Sequence, residues 1–149
     1  GNMISLDLRV DDNAWRALDD LDAVCQRALD AAAGCIKRDG EVSLLLCDDE
    51  AIRSLNRDWR NKDRSTDVLS FPAAEIDAPF LGDIAVAHGV ALADARAKNI
   101  GLAQHLSHLL IHGLLHLCGY DHLEDAEADE MEAFEISALA SLGWPDPYV

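Results

Sequence analysis

Residues 102–122 read LAQHLSHLLIHGLLHLCGYDH, an apolar segment with recurring histidines and a glycine near its end. Its leucines recur at intervals of three and four, which is typical of a helix with a buried face, so we predict a helix over Leu102–Leu117. His112 and His116 then project from one face, about 6 Å apart along the axis. Gly119 can end the helix and reverse the chain, because glycine adopts left-handed conformations cheaply. That reversal would bring His122 toward the other two imidazoles.

The three histidines have the spacing of a metal site. Three protein ligands leave the fourth tetrahedral position of zinc to water, which is the arrangement of catalytic zinc sites. Zinc lowers the pKa of that water to about 7. We therefore predict one zinc ion per chain, bound by His112, His116 and His122. Nickel, copper and iron also accept neutral imidazole, so ligand type alone does not determine the metal.

Three other residues of this stretch have roles that the sequence leaves open. His108 lies one turn before His112 and could orient a ligand, shuttle a proton or contact substrate, or simply be a hydrogen-bonded support. His105 is two turns from His112, which is too far to share its ion, and is expected to be structural. Asp121 is either a turn residue or a carboxylate that orients a ligand imidazole.

Four short strands and five helices are predicted along the chain, with strands mostly early and helices mostly late. Alternating or short apolar runs predict the strands, and spacings of three and four predict the helices. The result is an α/β (α+β) fold, a mixed sheet of about four strands packed with about five helices. The predicted strands are residues 4–10, 42–47, 68–71 and 83–87; the helices are 15–33, one capped by Asp48 or Asp49 with Ile52, Leu55 and Trp59 inward, 89–98, 102–117 and 126–142.

The length of 149 residues suits one domain, which we place at residues 3–149. Gly1 and Asn2 precede Met3 and resemble an expression scar. No apolar run approaches the roughly 18 residues of a membrane span. We therefore expect no membrane partner and a cytoplasmic location, with the four cysteines reduced.

The net charge of −16 argues against nonspecific binding of nucleic acid by the whole surface, and DNA is not an expected partner. Residues 53–64, called the basic segment below, nevertheless hold five of the twelve basic residues. No Lys or Arg follows Lys98, whereas residues 121–135 contain eight acids. A polyanion would therefore be bound locally, through the basic segment: Arg53, Arg57, Arg60, Lys62 and Arg64.

A metal next to guanidinium groups favours phosphodiester chemistry, because both stabilise charge on nonbridging phosphate oxygens. Arginine also binds phosphate with two parallel hydrogen bonds. The candidate substrate-binding residues are Arg57, Arg60, Lys62, Arg64 and, in the next predicted strand, Ser70. A protease of the H-E-x-x-H type is disfavoured, because Gly113 stands where that motif has its glutamate base.

The histidine motif resembles that of the YbeY endoribonucleases, which are bacterial ribosomal RNA maturation factors. The resemblance extends to residues 55–63 (LNRDWRNKD), 66–72 (TDVLSFP), 81–84 (LGDI) and the acidic helix at 124–142. It implies a zinc-dependent endoribonuclease that prefers single strands and acts in ribosomal RNA maturation and ribosome quality control. It also implies a catalytic role for Arg60 in gripping phosphate, with ribosomal RNA and the small ribosomal subunit or its proteins as partners.

Two alternatives stay open at this point. The chain could be a ribosome-associated assembly factor whose metal is mainly structural, since its acidic surface could dock on a basic ribosomal protein. Less favoured is a metallopeptidase that lacks the usual glutamate base. Within the nuclease hypothesis the group that protonates the leaving oxygen is open, and His108 is the candidate.

Overall fold

The computed structural model describes all 149 residues and contains one four-stranded mixed sheet. The strand order is β1-β2-β4-β3, with β1, β2 and β4 parallel and β3 antiparallel at one edge. This confirms the predicted fold class. The strands are β1 (Ile4–Val10), β2 (Gly40–Cys47), β3 (Val68–Pro72) and β4 (Phe80–Ala87).

All five predicted helices are present. None of them combines the length and apolar character needed to cross a bilayer. Short 3₁₀ helices occupy Asn13–Ala17 and Glu75–Asp77. The α-helices are α1 (Leu21–Ile36), α2 (Asp49–Arg60), α3 (His88–Ala97), α4 (Leu102–Leu117) and α5 (Asp125–Ser141).

The prediction for the first helix was wrong at both ends. Residues 13–17 form a separate 3₁₀ helix because the Asp12 carboxylate caps it, and Asp20 (φ 54°) then turns the chain before α1 begins. At the other end α1 continues through Gly34 to Ile36 and stops at Lys37, which adopts φ 54°. The helix therefore ends at a left-handed lysine rather than at the glycine.

The sheet separates two cores. Alternate side chains of β2 and β4, such as Leu44, Leu46 and Ile84, face α1, α4 and α5 in the larger core. The opposite face packs against α2 in a smaller core that includes Ile52 and Leu69. The expectation that Trp59 faces inward was wrong, because its indole is 72% exposed and borders an open cleft on the sheet face instead of packing into the smaller core.

Helix α4 approaches the sheet most closely at Gly113. A Cβ atom there would lie 3.1 Å from Ile84 Cδ1 and 3.2 Å from Ser70 Oγ, which is tighter than ordinary packing. The absence of a side chain therefore lets α4 lie directly against β3 and β4. The contact sets the histidine helix beside the edge strand.

Candidate functional site

The three predicted metal ligands converge. The ligand nitrogens of His112, His116 and His122 all lie within 4.8 Å of one another. His112 and His116 are supplied by consecutive turns of α4, and Gly119 (φ 95°) turns the chain so that His122 returns toward them. Helix α4 ends at Leu117, as predicted.

The tautomers of two of these imidazoles favour the binding of a cation between them. His112 Nδ1 donates to Glu135 Oε2 at 2.9 Å, and His116 Nδ1 donates to the Tyr120 carbonyl at 3.0 Å. With these hydrogens on Nδ1, both Nε2 atoms present lone pairs, and they face each other at 2.9 Å. Two imidazoles at about 2.0–2.1 Å from a tetrahedral zinc ion have nitrogens roughly 3.3 Å apart. The arrangement therefore fits a shared metal ion, which would remove the repulsion between the lone pairs.

Glu135 of α5 supports this arrangement from behind. Its side chain is 1% exposed, and its two oxygens accept from different partners. Oε2 accepts from His112, while Oε1 accepts from His108 Nε2 at 3.0 Å and from the Tyr148 hydroxyl. Burial would raise the pKa of Glu135, but hydrogen bonds from His108, His112 and Tyr148 lower it to about 2. A permanent carboxylate therefore fixes the ring of His112.

His116 is the ligand most affected by its surroundings. Burial lowers its pKa below the ordinary value for histidine, and the nearby rings of His112 and His122 lower it further. The neutral imidazole that a metal requires is therefore favoured.

His122 and Asp121 lie on the open side of the site. His122 is exposed, and the Asp121 carboxylate accepts from the His122 backbone N–H at 2.7 Å. Asp121 Oδ1 is 3.9 Å from His122 Nδ1, which is too far for a hydrogen bond. In this structure Asp121 therefore acts as a turn residue, and its role in orienting the imidazole stays a prediction.

Arg60 and Ser70 meet at the edge strand. The Arg60 guanidinium donates to the Ser70 carbonyl and lies over the ring of Phe71, 5.2 Å from its centroid. The Ser70 hydroxyl faces the other way, toward Gly113 of α4. Ser70 therefore connects the arginine to the helix that supplies two histidines. Only one of the five guanidinium N–H groups is needed for the carbonyl.

The rest of the basic segment is partly neutralised. Arg53 pairs with Asp63 at 2.8 Å and Arg57 with Asp58 at 3.2 Å, and all four side chains are exposed. The other three cations have no acidic side chain within 4 Å: Arg60, Lys62 and Arg64. The substrate-binding roles predicted for the basic segment stay predictions, and these three cations are the ones free to meet a phosphate.

Two depressions adjoin these groups. A cleft of about 500 Å³ lies on the sheet face beside α2, and its lining includes Leu55 and Trp59 of α2 and Arg9, Phe71 and Asp83 of the sheet. A second depression of about 360 Å³ reaches the histidines; it is lined by His112, His122, Ala128, Met131, Glu132, Glu135 and Tyr148. The first cleft follows the face next to the arginine, and the second opens at the predicted metal ligands.

Sequence reasoning missed Glu135 and Tyr148. Glu135 does have a signal, because it falls on the apolar stripe of α5 between Met131 and Ala138, where a carboxylate needs a buried partner. Tyr148 lies in an irregular C-terminal segment, and no local pattern identifies its contact. His108 is only 15% exposed, and its Nε2 atom is hydrogen-bonded to Glu135. Its catalytic role stays a prediction.

Comparison with known proteins gives one consistent family. The family model described as endoribonuclease YbeY matches residues 9–143. Two relatives named endoribonuclease YbeY are those of Rhizobium meliloti, 43% identical over 98% of this chain and 96% of the relative, and of Stutzerimonas stutzeri, 48% identical over 98% and 92%.

A solved structure agrees with the fold. The solution structure of a Thermotoga maritima protein superposes with a TM-score of 0.60 at 28% identity, covering 95% of this chain and 92% of the other. The shared fold therefore extends over nearly the whole of both chains.

Proposed function

The chain belongs to the YbeY endoribonuclease family, and on that premise we propose that it is a zinc-dependent enzyme that cleaves single-stranded ribosomal RNA. Its tasks would be ribosomal RNA maturation and ribosome quality control. The observation that supports the proposal best is the convergence of three histidines on a helix that packs against the edge strand to which Arg60 binds. An endoribonuclease role in ribosomal RNA processing follows from the family itself.

The metal ligands are His112, His116 and His122 in this proposal, one zinc ion per chain. When bound, zinc supplies Lewis acidity that lowers the pKa of water and so provides a nucleophile near neutral pH. The protein holds the ligands ready, because Glu135 and the Tyr120 carbonyl keep hydrogens on Nδ1 of His112 and His116. A site prepared in this way needs only a small movement of its ligands when the metal enters.

Arg60 would bind the nonbridging oxygens of the scissile phosphate. Its guanidinium is already fixed by the Ser70 carbonyl and the Phe71 ring, so little side-chain freedom is lost when phosphate binds. Such a group stabilises the charge that develops on phosphate during cleavage. Arg57, Lys62, Arg64 and Ser70 would contact neighbouring parts of the RNA backbone.

His108 and Glu135 have a positioning role in this scheme. His108 Nε2 is bonded to the Glu135 carboxylate, which in turn orients His112. His108 therefore holds the Glu135 carboxylate in the position that orients His112. We assign His108 this positioning role rather than protonation of the leaving oxygen.

An exposed aromatic ring supports the preference for single strands. Trp59 is 72% exposed on the wall of the larger cleft, one residue before Arg60. Unpaired bases stack on exposed aromatic rings, whereas bases inside a duplex are already stacked on each other. An RNA strand bound by Arg60 could therefore place a base on this indole.

The acidic surface suggests the other partner. Helix α5 begins with Asp125 and Glu127, and no cation follows Lys98 in the chain. A basic protein of the small ribosomal subunit would complement this face. The proposal accordingly includes the small subunit as partner, a cytoplasmic location and no DNA substrate.

The test compares zinc-loaded protein with three variants purified identically, on ribosomal RNA and on single-stranded, double-stranded and DNA oligonucleotides of one sequence. His116→Ala should abolish cleavage because it removes a ligand. Arg60→Ala should reduce kcat/KM by about 10²–10³, the usual effect of losing one charge-stabilising donor. Arg16→Ala removes an exposed arginine outside the site and should leave cleavage unchanged.

Each outcome has a distinct meaning. Equal cleavage by parent and His116→Ala would mean a contaminating nuclease and would remove the evidence for catalysis by this chain. Full activity in Arg60→Ala would contradict the role of the arginine. Restoration of ribosome maturation in cells by a folded, cleavage-dead His116→Ala would favour an assembly factor with a mainly structural metal.

A further inference from the structure

A buried histidine of α4 has no partner for either ring nitrogen. His105 is 1% exposed, and neither Nδ1 nor Nε2 makes a hydrogen bond. Buried polar atoms are nearly always paired, because desolvation without a partner is costly. The expectation that His105 is structural accounts for its burial but not for two unpaired nitrogens. A neutral imidazole has one N–H donor and one lone pair, so a cation could satisfy one of these two nitrogens.

Two carboxylates face that imidazole. One ligand atom each from Asp67, Asp94 and His105 lies within 4.8 Å of the other two. Asp67 immediately precedes β3, Asp94 lies in α3 and His105 in α4, so three separate elements meet here. The group is thus produced by the tertiary fold, unlike a run of acids on one exposed helix.

The charges of this group are not balanced by the protein. Neither Asp67 nor Asp94 forms an ion pair with a lysine or arginine within 4 Å. Lys98 is the nearest cation that affects the group, and it acts at longer range. Burial raises the pKa of Asp94, as do the charge of Asp67 and a hydrogen bond with the Asp67 side chain, while burial lowers the pKa of His105 to about 4. The imidazole is therefore neutral at neutral pH and cannot itself compensate the two acids.

We propose that Asp67, Asp94 and His105 form a second metal site, which binds one divalent first-row transition-metal ion such as zinc or manganese. A cation would accept the free lone pair of His105 and would reduce the electrostatic repulsion between the two carboxylates. The imidazole selects against magnesium and calcium, which prefer oxygen ligands alone.

The second site is separate from the three-histidine site. His105 and His112 are seven residues apart on α4, a rise of about 10 Å, whereas paired catalytic metals are about 3.5–4 Å apart. The ion would instead join α3 and α4 to the start of β3, the strand whose Ser70 carbonyl binds Arg60. This inference uses no residue of the three-histidine site and does not depend on the proposed function.

Metal stoichiometry tests the proposal. The parent and the double variant His112→Ala/His116→Ala would be dialysed to equilibrium against zinc, and bound zinc measured by mass spectrometry. We expect two ions per chain in the parent and one in the double variant. Adding Asp94→Asn to the double variant should reduce that to none. Adding Asp77→Asn, which changes an exposed acid in the short 3₁₀ helix before β4, should leave one ion bound.

A second substitution guards against a folding defect. His105→Leu removes the ligand and places an apolar side chain of similar size in the same buried position. This variant should therefore fold even if the Asp94→Asn variant does not. In the double variant it should also abolish zinc binding, with an unchanged circular dichroism spectrum. The proposal is overturned if the folded double variant binds no zinc, or if its ion survives both Asp94→Asn and His105→Leu.

Discussion

At the scale of single residues, Glu135 orients His112, one of the three predicted metal ligands. One of its oxygens accepts from His112 and the other from His108 and Tyr148, so a single carboxylate connects α4, α5 and the C-terminal segment. Partners of this kind keep a ligand imidazole in one orientation and one tautomer. The strength of metal binding should therefore depend on a residue that does not touch the metal.

Glu135→Gln tests this dependence. The amide keeps the volume of the side chain but offers one accepting oxygen in place of two, so the His112 contact or the His108 contact is lost. We expect zinc affinity to fall about 10- to 100-fold, as measured by competition with a chromophoric chelator. Glu130→Gln changes an exposed acid of the same helix and should bind zinc like the parent. An unchanged affinity in Glu135→Gln would show that His112 is oriented by α4 alone.

The convergence of the three histidines could be predicted from sequence, but the residues that support them could not. His112, His116 and His122 lie within one helix and one turn, so local geometry alone brings them together. Glu135 reaches His112 only because α5 packs against α4, which no spacing in the sequence expresses. The prediction for Trp59 was wrong for a related reason: its helical spacing is correct, but this turn of α2 borders a cleft instead of packing on the sheet.

At the scale of elements, the closeness of α4 to the sheet depends on Gly113. Glycine usually destabilises a helix interior, so its presence in the centre of α4 needs a packing reason. The close neighbours Ile84 and Ser70 supply that reason. The position that would hold the glutamate base of a zinc protease is here the contact point between helix and edge strand.

Two glycine substitutions compare helix propensity with packing. Gly34→Ala lies in α1 with nothing within 4 Å of the new Cβ, so the free energy of unfolding should rise by about 0.5–1 kcal/mol. Gly113→Ala gains the same propensity but overpacks against Ile84 and Ser70, and we expect a net loss of about 1–2 kcal/mol. Urea denaturation measures both. Stabilisation by Gly113→Ala would show that α4 can move away from β3 at little cost.

Element types were easier to predict than element ends. The apolar spacing of α4 predicted both of its limits, because the whole helix is amphipathic and a glycine follows. The start of α1 depends on Asp12 capping a short 3₁₀ helix and on the left-handed backbone of Asp20. Neither feature has a periodic pattern, so composition alone extended the helix too far.

At the scale of the whole molecule, the charges are distributed unevenly around the site. The chain carries a net charge of −16, while three cations of the basic segment have no acidic side chain within 4 Å: Arg60, Lys62 and Arg64. Helix α5 adds acids on the side of the histidines. An RNA strand is therefore confined to few phosphate contacts, and most of the surface repels it.

Few contacts predict a weak dependence of RNA binding on salt. Three neutralised phosphates give a slope of about −2 for log K against log salt with a single strand. The measurement is fluorescence anisotropy of an RNA oligonucleotide with the cleavage-dead His116→Ala protein between roughly 50 and 200 mM salt. Adding Lys62→Ala should reduce the slope by about 0.7, whereas adding Arg16→Ala should not change it. A slope steeper than about −5 would mean that cations beyond the basic segment contact the RNA.

The hydrogen bond between Arg60 and Ser70 also affects how copies of the protein meet. The backbone of Asp67 pairs with Ala87 of β4 and that of Ala73 with Leu81, so the alternate residue Ser70 directs its carbonyl away from the sheet. Unpaired backbone groups along the edge of a sheet allow another extended chain to pair with them as a further strand. Arg60 occupies that carbonyl and places a positive charge along the same edge. The arginine that would grip RNA therefore also discourages strand-to-strand self-association, and its loss would expose an adhesive edge.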